Sequence, residues 1–493
     1  MNISRTSARR LRTTAIAVVG SIACLVPSLG ASAAPAGSHH GPKNVIVMIG
    51  DGMGYNQVDL ASAYQYGTTD NQAAVDPVTG SVAHVRGIPS QVYEKFPVRV
   101  GASTFSSSGR GLYDPQSAWA DFGWVAEGAT DSAAAGTALA TGVKTLNGVV
   151  GLDAAGQRVE NLTERAHSLG KATGLVTSVP FSHATPATFG AHNADRNDLV
   201  GVTHEYLSGD LDVVIGAGNP GYDDSHQVLA TPSYQYVSQP DWTRLVQGQT
   251  PFTLLEKTSD FEALATSRKT PRRVFGAVQV ASTLQQVRSG AAGSAAPYAV
   301  PRNDVPDLAT LTKGALNVLD ADKDGYFAMI EGGAIDWAGH ANSPVTAVEE
   351  TVDFNRAVEA AVHWVETKSS WDQTLLIVTA DHECGYLTGA GSDPAWTAIS
   401  GSKGQLPAAA MHSTGHTNEV VPVYAKGPGS AELRARATGR DPVRGAYLDN
   451  TDVANVLLKD LWRRPTVVGD GSVSTVVGDG SVPTVAKLPA MAD

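Results

Sequence analysis

Several residues able to hold a cation or activate a nucleophile stand close behind runs of apolar residues. Asp51 follows Val45 to Ile49, Glu331 follows Tyr326 to Ile330, and Asp381 with His382 follows Leu375 to Val378. One acid behind one strand is ordinary. Oxygen and nitrogen donors behind several strands point to a ligand site, because parallel strands bring such positions together at their carboxyl edge. Two clusters carry further donors. Glu331, Asp336 and His340 lie along the glycine-rich stretch EGGAIDWAGH, which suits close wrapping around small ions, and His416 precedes another apolar run, Val420 to Tyr424. Carboxylate and imidazole without thiolate is the ligand chemistry of zinc in an open, catalytic arrangement. Ser132 is followed by three alanines that favour a helix, placing it where free amides and the helix dipole attract a phosphoryl group. Taken alone, that segment favours an ordinary N-cap. The hydroxyl becomes a nucleophile only beside a base or a metal.

The elements that must position these residues are legible as alternating strands and helices. Continuous apolar runs at Val45 to Ile49, Thr173 to Val176, Val213 to Ile215, Tyr326 to Ile330, Leu375 to Val378 and Val420 to Tyr424 are separated by helical patterns. That alternation predicts an α/β fold with a large, mostly parallel central sheet and helices on both faces. Val345, Val348, Val352, Val358, Val362 and Val365 share one stripe of a helix starting near Pro344. A second helix runs from Asp452, with Thr451 as its N-cap. Residues 216–300 are richer in Gln, Ser, Pro and aromatic residues and lack periodicity, so they read as an insertion that crowns the sheet. Asp320, Asp322, Asp324, Gly325 and Glu331 match the EF-hand loop expression, but a strand pattern follows where an EF-hand needs a helix, so Asp322 to Gly325 reads as a turn. His167, His192, His363 and His412 read as ordinary surface or core residues.

The amino terminus is different in kind. Arg5, Arg9, Arg10 and Arg12 precede an apolar run from Thr14 to Val26, and Ala31-Ser32-Ala33 offers a cleavage site. Residues 1–33 therefore read as a signal peptide, too short and broken to be a stable membrane span, leading to secretion by either the Sec or the twin-arginine route. Cleavage removes four arginines and no acid, leaving 32 basic against 48 acidic residues, a net charge of −16. So acidic a surface disfavours nucleic acid and anionic membranes as dedicated partners. Cys24 leaves with the signal and Cys384 then has no intrachain partner, so stability must come from core and metal. Residues 34–463 read as the catalytic domain, and 464–493, with TVVGDGSV repeated, as a low-complexity tail.

Together, NVIVMIGDGMG, TDSAAAGTALATG, HATPATFGAHNADR, DVVIGAG, EGGAIDWAGHAN, TLLIVTADHECGYL and HTNEVVPVYAKGPG, in this order from Asn44 onward, resemble the alkaline phosphatase family. The resemblance implies hydrolysis of phosphate monoesters through a phosphoserine at Ser132. It implies one zinc ion on Asp336, His340 and His416, and a second on Asp51, Asp381 and His382. It also implies a third ion, usually magnesium, among Asp51, Glu331, Thr185 and His183. Arg196 matches the arginine that clamps the phosphate, and Asp131 the acid that steers it. His183 stands where some members have Asp, which opens the third site to zinc or cobalt. Trp337 stands where some have Lys or His. Relatives are commonly homodimers. The alternatives are a phosphodiesterase or sulfatase of the same architecture, and a secreted protein that merely binds metal or phosphate.

Overall fold

The computed structural model describes residues 41–76, 78–392 and 396–463. The expected signal peptide and the C-terminal repeat lie outside these residues.

An 11-stranded sheet forms the centre of the fold. Its strands in chain order are β1 (Asn44–Gly50), β2 (Val98–Ser103), β3 (Ala172–Pro180), β4 (Val213–Ala217), β5 (Thr253–Leu255) and β6 (Val274–Ala277). They continue with β7 (Tyr326–Gly332), β8 (Thr374–Thr379), β9 (Val421–Lys426), β10 (Gly439–Asp441) and β11 (Gly445–Asp449). Their order across the sheet is β10, β11, β2, β9, β8, β1, β7, β3, β4, β6, β5. Every neighbouring pair from β8 through to β5 is parallel. Strand β9 runs antiparallel to both β8 and β2. The central strands β1, β7 and β8 are buried along their whole length, which is why they read as unbroken apolar runs rather than alternating ones.

Six helices matter for the site: α1 (Tyr55–Tyr66), α2 (Ser132–Thr141), α3 (Ala184–Gly190), α4 (Leu308–Leu319), α5 (Ala334–His340) and α6 (Pro344–Lys368). The valine stripe lies on α6, which begins with Pro344 in its first turn and has the Ser343 hydroxyl accepting from the Thr346 amide at 3.3 Å. Helices α2 and α3 pack closely because Gly136 faces Thr188. A Cβ at position 136 would come within 2.7 Å of the Thr188 hydroxyl. That contact ties the helix carrying Ser132 to the helix carrying Thr185.

Two local readings are refined and a third holds. Asn450, not Thr451, occupies the N-cap position of the helix Thr451–Asn455; the Thr451 hydroxyl donates to Asp449 at 2.7 Å instead. The stretch 216–300 does not only crown the sheet, since β5 and β6 extend the sheet beyond β4. Their runs, TLL and VFGA, are too short to stand out by periodicity. Asp322 to Gly325 forms a turn, closed by a Gly325 amide to Asp322 carbonyl bond of 3.4 Å, and β7 follows it directly. Gly325 has φ of +95°, and a Cβ there would lie 2.1 Å from the Lys43 carbonyl oxygen.

Candidate active site

The nominated residues gather where β1, β3, β7 and β8 end. Asp51 leaves β1, Glu331 is near the end of β7, and Asp381 and His382 leave β8. His183 and Thr185 open α3 just beyond β3. Asp336 and His340 lie one turn apart on α5. His416 comes from a two-residue strand, His416–Thr417, that pairs with Glu383–Cys384 and is thereby held next to His382. Among the described residues, three groups of potential ligands form, each with its donor atoms within 4.8 Å of one another.

The first group is Asp336, His340 and His416, with the sulfur of Cys384 also in range. His340 Nε2 is 3.3 Å from Asp336 Oδ2, His416 Nε2 is 3.2 Å from Asp336 Oδ1, and the two Nε2 atoms are 3.2 Å apart. Each ring is oriented from behind: Nδ1 of His340 meets the Thr414 carbonyl at 2.6 Å and Nδ1 of His416 meets the Thr130 carbonyl at 2.8 Å. A carbonyl can only accept, so both protons sit on Nδ1 and, in the neutral rings, both Nε2 lone pairs face Asp336. Donating a hydrogen bond to the Asp336 carboxylate pushes His340 up to about 9. Burial opposes ionisation of Asp336, but hydrogen bonds from His340 and His416 outweigh it and hold the carboxyl well below its ordinary value. The Cys384 thiol is buried, and burial together with nearby Asp336 pushes it up, keeping it protonated.

The second group is Asp51, Asp381 and His382, all with no solvent exposure. His382 Nε2 lies 3.1 Å from Asp381 Oδ2, 3.6 Å from Asp51 Oδ1 and 3.2 Å from the Ser132 hydroxyl. Asp381 Oδ1 accepts from the amides of Gly52 and His382, at 3.1 and 2.9 Å, which leaves Oδ2 without a hydrogen-bond partner. The His382 ring stacks on His416 with centroids 3.6 Å apart, so the first two groups are contiguous. Burial, then Asp381, raises Asp51 well above the carboxylate range, and burial, then Asp336, raises Asp381 to about 6.

The third group is Asp51, His183 and Glu331. The Thr185 hydroxyl donates to Asp51 Oδ2 at 3.1 Å, and the Thr177 hydroxyl donates to Glu331 Oε2. Burial pushes Glu331 up to about 8, and burial, then Arg196, pushes His183 down to about 3. The His183 ring meets Trp337 edge-on at 5.8 Å. Thr177 escaped sequence reasoning because, inside β3, it looks like any strand threonine.

These residues fit cations. Asp51 Oδ1, Glu331 Oε1, Asp381 Oδ2 and His183 Nδ1 are buried with no hydrogen-bond partner, which a native interior rarely tolerates. Four carboxylates buried side by side demand positive charge between them. Carboxylate with imidazole in the first two groups suits zinc; the oxygen-rich third suits a harder ion.

Ser132 is the first residue of α2, and Asp131 is the N-cap. Asp131 Oδ1 accepts from the Ala134 amide at 2.9 Å, which leaves the serine free of capping duty. The other oxygen, Oδ2, accepts from Arg196 Nη1 and from the Gly148 amide, both at 2.9 Å. Ser132, Arg196, His183, Trp337, His340 and His416 line one open cavity of about 530 Å³. Among the other histidines, His192 bonds the Val159 carbonyl at 3.0 Å and His412 bonds Thr388 at 2.7 Å; neither joins a ligand group.

The family model for alkaline phosphatase matches residues 42–220 and 291–403. The chain belongs to the alkaline phosphatase family. It is therefore a phosphomonoesterase, and the family is metal-dependent. Alkaline phosphatase 3 of Bacillus subtilis (strain 168) is 30% identical over 392 residues, covering 76% of this chain and 70% of the relative. Streptomycin-6-phosphate phosphatase of Streptomyces griseus is 29% identical over 468 residues, covering 85% of this chain and 93% of the relative. Among solved structures, alkaline phosphatase from the Antarctic bacterium TAB5 superposes with a TM-score of 0.58 at 24% identity, covering 86% of this chain and 99% of that one. A mutant of the TAB5 alkaline phosphatase, with aspartate in place of a histidine, carries Mg in its M3 site.

Proposed function

We propose that this alkaline phosphatase hydrolyses phosphate monoesters through a covalent phosphoserine on Ser132, with zinc at the Asp336–His340–His416 and Asp51–Asp381–His382 groups. Magnesium, or zinc or cobalt in its place, occupies the Asp51–His183–Glu331 group with Thr185. The observation that carries the reading is the Ser132 hydroxyl 3.2 Å from His382 Nε2, at the start of a helix and on the wall of a cavity shared with Arg196. Bound metal supplies a lowered hydroxyl pKa and positive charge for both the attacking and the leaving oxygen.

The chain's own residues do the rest. The amino end of α2 presents free amides to the anion, and the Arg196 fork grips two phosphate oxygens while Asp131 fixes its direction. The Ser132 oxygen forms a bond to phosphorus as the ester P–O bond breaks, and the alcohol departs with a proton. Water then attacks the same phosphorus, the serine P–O bond breaks, and inorganic phosphate leaves. His183 places an imidazole nitrogen among the oxygen donors of the third group, which makes that site less selective for magnesium than one built of oxygens alone. Residues 1–33 direct export. The experiment is acid-quench trapping of labelled phosphoenzyme in the zinc-loaded protein and in Ser132→Ala. The wild type accumulates label and loses it after chelation, whereas Ser132→Ala retains its zinc and carries none. Label persisting in that variant, or a wild type that cleaves diesters faster than monoesters, overturns the reading.

A further inference from the structure

One wall of the Ser132 cavity is built by a segment that neither metal nor phosphate requires. Gln286 and Val287 line the cavity together with Arg196 and Trp337. Both residues fall in the gap between the two stretches that match the alkaline phosphatase family model. Gln286 is 3% exposed. Its Oε1 is buried without a hydrogen-bond partner, and no described residue bonds its Nε2. Native proteins pair nearly all such groups, so a buried carboxamide left over on the wall of a reactive cavity points to a partner that arrives with the ligand.

The carboxamide is held in place by its neighbours. Leu284 N bonds the Ser178 carbonyl at 3.0 Å, next to Thr177, whose hydroxyl donates to Glu331 of the third ligand group. The Gln285 side chain exchanges two hydrogen bonds with the Asn303 backbone, at 3.2 and 2.8 Å. Arg288 donates to the carbonyls of Gln285, Val300 and Pro301 and pairs with Glu349 of α6 at 2.8 Å, with only 2% and 4% of the two side chains exposed. Gln286 thus sits between fixed points and loses little freedom on binding.

We infer that Gln286 is a specificity-determining residue that hydrogen-bonds a hydroxyl group on the alcohol portion of the ester, so that the enzyme prefers monoesters of polyols and sugars to those of apolar alcohols. This rests on the phosphoserine reading above. Arg196 and the metal groups answer the phosphate's negative charge. Gln286 is neutral and both donates and accepts, as a hydroxyl does. Trp337, Val287 and Ala341 supply the apolar remainder of the wall. A site built to pair a substrate hydroxyl rejects an analogue that lacks it, because its own polar group is then left unpaired.

The test compares kcat/KM for glycerol 1-phosphate and for phenyl phosphate in the zinc- and magnesium-loaded enzyme. Gln286→Met keeps the length of the side chain and removes the carboxamide. The ratio of the two values, glycerol ester over phenyl ester, falls roughly tenfold. Gln286→Ala, which adds no bulk, shifts the ratio in the same direction. Equal losses on both substrates, or a weakening of inhibition by inorganic phosphate in step with the loss, assign Gln286 to the phosphate or to packing and overturn the inference. A ratio unchanged in both variants overturns it as well. A wild type inert toward both esters refutes the phosphoserine reading and this inference with it, whereas an active wild type with an unmoved ratio sinks this inference alone.

Discussion

Stripping the metals sets the buried carboxyls against one another, and the structure gives the sign and size of the effect. Folding moves Glu331 from its ordinary 4.5 up to about 8, chiefly by burial. Between those values the folded chain holds a proton that the unfolded chain has already lost. Stability from this group is therefore full below about pH 4.5 and is lost as pH rises toward 8. At 1.36 kcal/mol per unit, the interval from pH 6.5 to 8 removes about 2 kcal/mol through Glu331 alone. His340, pushed up to about 9 by its hydrogen bond to Asp336, acts in the same direction over that interval, and Asp51, raised by burial, carries the same sign. His183 and His382 are held low, so they oppose the trend only below about pH 6.5, where the unfolded imidazoles take up protons. The metal-loaded enzyme reverses the slope, since cations bind the deprotonated ligands and their affinity rises with pH. Urea unfolding followed by circular dichroism, at pH 6.5 and 8.5, with chelator and with saturating zinc and magnesium, reads both slopes. Metal-free protein that is as stable at pH 8.5 as at 6.5, or unfolding that ignores chelation altogether, refutes the reasoning.

Two further outcomes are expected. Arg196→Ala removes two charge-assisted hydrogen bonds to phosphate, about 3 kcal/mol together, so kcat/KM falls about 100-fold and inorganic phosphate becomes a poorer inhibitor in steady-state assays. Arg288→Met leaves Glu349 buried without its cation, and chemical denaturation shows a loss of about 3–5 kcal/mol.

The sheet was readable where both faces are covered. Strands β1, β7 and β8 announce themselves as apolar runs because nothing about them faces water, and the donors behind them follow from strand direction alone. Strand β2 was not readable: exposed Arg99 and a central glycine interrupt VRVGAS, and its place in the sheet depends on pairing with β9, more than 300 residues away. Ser132 could be placed at a helix start, but only the structure shows Asp131 taking the cap and releasing the hydroxyl. Gln286 carried no signal at all. Its position is fixed by Arg288 reaching Glu349, a long-range ion pair in a segment without periodicity.

The donors that converge on Ser132 are spread from Asp51 to His416, and each group draws on segments far apart in the chain. No fragment ending before His416 can assemble the first group. On the proposed mechanism, phosphate release therefore reports a chain that has been made at least as far as that histidine and has folded around it.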